Sequence, residues 1–170
     1  MSAELSDTRP ASWFAWALAL GRVLMGAFFL MEAVHQLTSG WIGGSGLEEK
    51  LTKALDTAIP PYDTLLEHVF LHIDQPLTVL VIAGEIAVGA ALVLGLLTRF
   101  TSFVAMVMNA NFLLMNGLHA NSGGVDIAFI LGEIILLLFA SRQALSADTF
   151  LARRGLSGPL MSASIARTRA

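Results

Sequence analysis

Apolar residues run along this chain in long blocks broken by short polar turns, not in the one-sided stripes of a soluble domain. From Leu77 to Leu97 the only ionisable residue is Glu85, and a helix of that length crosses the roughly 30 Å hydrocarbon layer of a membrane. Similar blocks occupy about 13–35, 100–118 and 125–141. The pattern predicts an all-α, integral membrane four-helix bundle with spans at about 13–35, 77–97, 100–118 and 125–141. Trp13 and Trp16 stand where interfacial aromatics sit. Residues 1–12 are polar and read as a short cytoplasmic lead, not a signal peptide.

The connection 36–75 is polar on average yet patterned. After the glycines at 40, 43, 44 and 46, Ser45 and Glu48 have the spacing of a capping box. Leu47, Leu51, Leu55 and Ala58 recur on one helical face, which predicts an amphipathic periplasmic helix lying on the membrane surface and ended by Pro60 and Pro61. Asp63 is placed to cap a second helix carrying Leu65, Leu66, Val69, Phe70 and Ile73, with His68 and His72 four apart at the border of its apolar face. In the second span Ala83, Ala87, Ala91 and Gly95 form a small-residue stripe suited to close helix approach, with Glu85 and Gly89 on another face. Thr98 and Arg99 are expected to form the turn into the third span. Asn109 and Asn116 lie seven apart in that span, as do Asp126 and Glu133 in the fourth, so each helix carries a polar seam. Beyond the fourth span, 143–170 reads as a cytoplasmic short helix capped by Ser146, followed by a tail whose composition from Gly155 is that of a disordered segment.

Composition narrows the function. The chain is 55% hydrophobic with a formal charge of -3, and no basic stripe suggests nucleic acid. Cysteine is absent, which removes disulfides, thiolate nucleophiles and iron–sulfur ligation by this chain, so a redox role rests on a bound cofactor or a partner subunit. Arg9, Arg99, Arg142, Arg153, Arg154, Arg167 and Arg169 fall on one side of the predicted spans and only Lys50 and Lys53 on the other. The positive-inside bias then places both termini in the cytoplasm and 36–75 outside.

Counting residues along antiparallel spans of about 1.5 Å per residue places Arg22, Glu85, Asn109 and Glu133 in one layer near the midplane, one from each helix. An Arg22–Glu85 pair explains how both are tolerated, with the second carboxyl left for an asparagine or a proton. Such a layer reads either as a buried polar site for a quinone headgroup or proton relay, or as a satisfied ionic plug that fixes helix register. On the outer side His35, His68, His72 and His119 gather with Glu32 and Asp126. These residue types can hold a metal ion, although no HExxH motif is present and no metal is assigned. They equally suit interfacial histidines bonded to nearby acids, hydrogen bonding to a quinone ring, or pH sensing.

The segments ALGRVLMGAFFLMEAVHQL, GEIAVGAALVLGLLTRF and SRQALSADTFLARR together resemble the DoxX/DoxD family of four-helix bacterial membrane proteins. Arg22 with Gly26, Gly84 with Glu85, Gly95 to Arg99, and Arg142 with Ser146 and Asp148 stand at the family's motif positions, while Ser141 replaces a common glycine. The long first loop resembles the DoxD branch, associated with the membrane subunit of thiosulfate:quinone oxidoreductase. The resemblance implies a multi-pass protein of the bacterial cytoplasmic (inner) membrane, a quinone-linked oxidoreductase subunit with quinone as its cofactor and a partner subunit or homo-oligomer in the lipid bilayer. A non-catalytic membrane scaffold or accessory protein for a partner enzyme is the competing class. A small transporter is a third, which four helices without internal repeat or broken spans accommodate poorly.

The topology is directly testable because the chain has no native cysteine. With single cysteines at Ser45, Thr98 and Ser157, an impermeant thiol reagent on intact cells is expected to label Ser45→Cys alone. Labelling of Thr98→Cys without Ser45→Cys reverses the assignment.

Overall fold

The computed structural model describes residues 13–118, 123–140 and 144–155. The predicted lead 1–12, His119, Ser141, Arg142 and the tail beyond Gly155 lie outside them. Among the described residues the chain is helical with no strand: α1 (Trp13–Thr38), α2 (Gly46–Ala54), α3 (Tyr62–His68), a 3-10 turn (Phe70–Ile73), α4 (Asp74–Leu94), α5 (Thr98–Asn116), α6 (Gly123–Phe139) and α7 (Ala147–Arg153). Two of these, α1 and α4, are long and apolar enough to cross a membrane. They pack against each other, and α5 pairs in the same way with α6. Phe28 and Phe29 of α1 meet Phe129 of α6 with ring centroids 4.6 and 6.5 Å apart, which helps join the two pairs.

The contact between α1 and α4 follows from two glycines. A Cβ built at Gly26 falls 2.8 Å from the Gly89 carbonyl oxygen, and one at Gly89 falls 2.8 Å from the Gly26 carbonyl oxygen, so each backbone touches the other. The buried face of α4 is therefore Ile82, Glu85, Gly89 and Leu92. The predicted stripe is not the seam: Ala83 and Ala87 are exposed, because a methyl group on each still holds helices further apart than a bare glycine pair does.

Helix boundaries differ from expectation for local reasons. α4 begins at Asp74, ahead of Pro76, since proline in the first turn lacks only an N–H that has no intrahelical partner there. It ends in a Schellman turn: Gly95 takes φ 68°, its N–H donates to the Leu92 carbonyl at 3.1 Å, and the Leu96 N–H donates to the Ala91 carbonyl at 2.9 Å. Thr98 and Arg99 accordingly belong to α5, and Gly95 to Leu97 make the turn.

Residues 36–75 form a cap packed on the bundle, not a helix resting on lipid. Leu47, Leu51 and Ala54 bury against Leu66 of α3 and Met115 of α5. The C-terminal carbonyls of α5, which lack intrahelical partners, are met from the cap. The Ile59 N–H donates to the Leu114 carbonyl at 3.0 Å and the Thr57 hydroxyl to the Met115 carbonyl at 3.2 Å. Ser45 does not form the expected capping box; its hydroxyl donates to Glu49 at 2.7 Å. α2 ends at Ala54, ahead of the prolines, and Asp63 lies inside α3 behind the N-cap Pro61. Ser146 does cap α7, accepting from the Thr149 N–H at 3.2 Å.

Gly26→Leu or Gly89→Leu is expected to lower stability in detergent by about 1–3 kcal/mol through overpacking. Ala87→Leu, on an exposed face of the same helix, should leave the melting temperature nearly unchanged. Equal losses for all three variants would refute the glycine seam.

Candidate functional site

Arg22 is fully buried, but its partners are at the end of the bundle that the predicted topology makes the inner one. Its guanidinium Nη2 donates to the Leu145 carbonyl at 2.8 Å, Asp148 supplies an opposite charge acting on it, and it lies so close to Gly95 that any Cβ there would collide with it. Glu85 is ten residues before Gly95 on α4, about 15 Å along the helix axis. The expected Arg22–Glu85 pair is therefore not made. Depth counting assumes that the helix ends are flush, whereas α1 continues for more than two turns past the end of α4, and the Ala144 N–H packs there on the Ala15 carbonyl at 3.3 Å.

Asp148 organises this inner end. Its carboxylate accepts from the Leu97 N–H at 2.7 Å and the Thr98 N–H at 2.9 Å, capping α5 from a helix far along the chain. Leu97, the N-cap of α5, has no side chain able to do so and takes φ 48°, while Leu145, whose carbonyl receives Arg22, also takes φ 48°. The sequence marks Asp148 only through the family motif, because a cap supplied from another helix leaves no local spacing to read.

The other polar residues gather in the opposite half, the outer one in the predicted topology. The Gln36 side-chain amide donates to Glu85 Oε1 at 3.0 Å, and that of Asn109 to Glu133 Oε1 at 2.6 Å. Asn116 donates to Asp126 at 3.1 Å, so the α5 and α6 seams meet rung by rung. Gln36 is not among the expected site residues because it lies one residue past the predicted end of the first span at 35. The helix runs on to Thr38, and the buried positions Arg22, Phe29 and Gln36 recur every seven residues. Three acceptor oxygens remain without a donor among the described residues: Gln36 Oε1, Glu85 Oε2 and Glu133 Oε2.

Two cavities meet at this layer. The more polar one, of about 160 Å³, is lined by Glu32, Gln36, Lys50, Glu85, Asn109 and Asp126 together with the rings of Phe28, Phe29, Phe112 and Phe129. An apolar one of about 360 Å³ lies between the cap and helices α4 and α5, walled by Leu77, Leu80, Val81, Val104 and Met108, and it shares Gln36 and Lys50 with the first. Leu80 is 68% exposed on the outside of α4, so the apolar cavity reaches the lipid-facing surface. At its cap end the Tyr62 hydroxyl donates to Asn111 at 2.9 Å, and burial raises the Tyr62 pKa, which keeps the phenol a donor. The Lys50 ammonium stands 5.5 Å from the Trp41 ring centroid and 5.4 Å from that of Phe112. Neither Lys50 nor Tyr62 was singled out from sequence, since nothing local reports which loop residues fold back over the bundle.

The described histidines, His35, His68 and His72, do not converge, and His119 lies outside the described residues. His35 faces an outer vestibule, with Nδ1 3.5 Å from the Ser39 hydroxyl. His68 and His72 are exposed and sit on different elements, because the helix breaks at Val69 (φ -122°, ψ -61°), and the four-residue spacing no longer aligns them. His68 Nδ1 lies 3.1 Å from the Thr64 carbonyl. Among the described residues no group of three or more His, Asp or Glu side chains could hold a metal ion.

An apolar helical bundle with long apolar helices and buried carboxyl–amide pairs is that of an integral membrane protein. The chain belongs to the DoxD family: the family described as TQO small subunit DoxD matches residues 46–158, from α2 through α7. No curated protein and no solved structure matches it.

The placement of Arg22 yields a thermodynamic expectation. In a double-mutant cycle on thermal unfolding in detergent, Arg22→Met and Glu85→Leu should be additive within about 0.5 kcal/mol, whereas Arg22→Met and Asp148→Asn should couple by more than that. Coupling of the first pair alone would restore the midplane ion pair.

Proposed function

We propose that this chain is the quinone-facing membrane subunit of an oxidoreductase of the thiosulfate:quinone type, working with a partner subunit that delivers the electrons. The observation that carries this reading is the apolar cavity under the cap. Its volume of about 360 Å³ lies in the range of small-molecule sites, and its aliphatic walls suit a ring and the start of an isoprenoid tail. Exposure of Leu80 supports access from lipid, where a quinone resides. Gln36 and Lys50, shared with the polar cavity, are the groups that would hold the ring carbonyls. The family description, a small subunit of such an enzyme, supports both the activity and the partner.

In the same reading α1, α4, α5 and α6 are the four spans of a bacterial cytoplasmic membrane protein, with 36–75 outside and 143–170 inside. The scaffold reading shares this topology but gives the cavity no ligand.

Titration of a short-chain quinone into the protein in nanodiscs separates the two. The unsubstituted chain is expected to bind, Met108→Trp to lose affinity by roughly tenfold or more (about 1.4 kcal/mol) by filling the cavity, and Lys50→Met to weaken binding. Absence of binding in the unsubstituted chain, or identical affinity in all three, would assign the protein to the scaffold class.

A further inference from the structure

The hollows of the outer half share lining residues. Lys50 lines the apolar cavity, the polar cavity and an outer vestibule of about 730 Å³, and Glu32 lines the polar cavity and the vestibule. The polar cavity ends on two side chains that are almost wholly buried and carry unpartnered acceptors: Glu85 at 2% exposure and Gln36 at 3%. Beneath that layer Val88, Leu92, Ala105 and Leu136 form a buried apolar core, and below it the hydroxyls of Thr101 and Ser102 are followed by Arg22, the Leu145 carbonyl and Asp148, which close the inner end. A buried water needs two to four polar partners, which the upper cavity supplies and the apolar layer does not.

We propose that the polar cavity is a one-sided, water-filled passage through which Glu85 exchanges protons with the side of the membrane that carries residues 36–75. The charged and polar groups facing Glu85 come from every element around it: Gln36 and Glu32 of α1, Lys50 of α2, Asn109 of α5 and Asp126 of α6. Glu32 stands at the boundary between cavity and vestibule and is the group through which a proton enters. Lys50 is the only cation lining the passage among the described residues, and the rings of Trp41 and Phe112 keep its ammonium at the junction with the apolar cavity.

The passage assigns a side to the chemistry. Reduction of a quinone turns two ring carbonyls into hydroxyls and consumes two electrons, from the reduced-sulfur donor oxidised on the partner subunit, and two protons. Those protons come from the outer face, across the layer shared by the two cavities. This last link rests on the quinone reading above; the passage does not, and it is tested without quinone.

The test uses the full, otherwise cysteine-free chain in oriented vesicles, challenged from one side at a time with an impermeant charged thiol reagent. Ser45→Cys defines the outer side. Glu32→Cys and Asn109→Cys are expected to react from that side only, and Val88→Cys, in the apolar layer, from neither. Reaction of Asn109→Cys from the opposite side, or its inertness while Glu32→Cys reacts, overturns the passage. Because replacing Asn109 removes the Glu133 partner, the unsubstituted protein gives a second measurement. A water-soluble carbodiimide with an amine nucleophile, applied from the Ser45 side, is expected to modify Glu85, as read by mass spectrometry. An unmodified Glu85 overturns the proposal. Labelling as expected in a protein that binds no quinone would leave the passage standing and remove the quinone reading.

Discussion

The register of the bundle is set by two residues without side chains. Because α1 and α4 touch at Gly26 and Gly89, running antiparallel, Arg22 comes up against Gly95, and the side chains of Gln36, about 15 Å beyond the contact, and Glu85, about 6 Å beyond it, reach each other. A slip of one helical turn, 5.4 Å, would take Glu85 away from its amide and move the guanidinium onto the side chains of the apolar layer. Gly95 is a third position of the same kind. It ends α4 in the left-handed conformation, and its missing side chain leaves the space that the Arg22 guanidinium fills. One helix–helix contact thus fixes both the closed inner end and the polar outer layer.

The two ends solve the problem of buried polarity differently. At the inner end charged groups meet backbone: Asp148 takes the first amides of α5 and Arg22 takes the Leu145 carbonyl. Charge-assisted bonds of this kind are worth roughly 1.5–3 kcal/mol. They hold Leu97 and Leu145 at positive φ, a strain of order 1–3 kcal/mol each that persists only where the surroundings over-determine the backbone. At the outer end Glu85, Glu133 and Asp126 are each met by a neutral amide, and the cap closes over the layer with apolar contacts.

Much of this was legible in the chain. The apolar blocks gave the helices, and the seven-residue spacings of Asn109 with Asn116 and of Asp126 with Glu133 gave the seams that face each other. Depth was not legible, because counting from the start of each block cannot show that α1 overshoots α4. The cap was misread for a similar reason: the face made by Leu47 and Leu51 has the same pattern whether it meets lipid or Met115. The histidine pair failed on a single residue, Val69, whose backbone breaks the helix that would have aligned His68 with His72. Gln36 was legible in principle, since it continues the seven-residue repeat through Arg22 and Phe29.

What remains is why the outer layer is left incomplete. An ionised carboxyl offers about four acceptor positions, yet Glu85 and Glu133 each receive one amide N–H among the described residues. An unsatisfied buried acceptor costs about 1–3 kcal/mol, and apolar side chains of similar volume would often serve stability as well or better. A device built to hold helices together would be completed from within, by a guanidinium or a second donor. The one fully buried guanidinium among the described residues is at the other end of the bundle, where Nη2 donates to the Leu145 carbonyl and Nε and Nη1 meet no acceptor among the described residues. The incomplete layer adjoins one cavity that shares Glu32 and Lys50 with the outer vestibule and another that reaches the exposed Leu80, and these are what the proposed water passage and the proposed ligand site rest on.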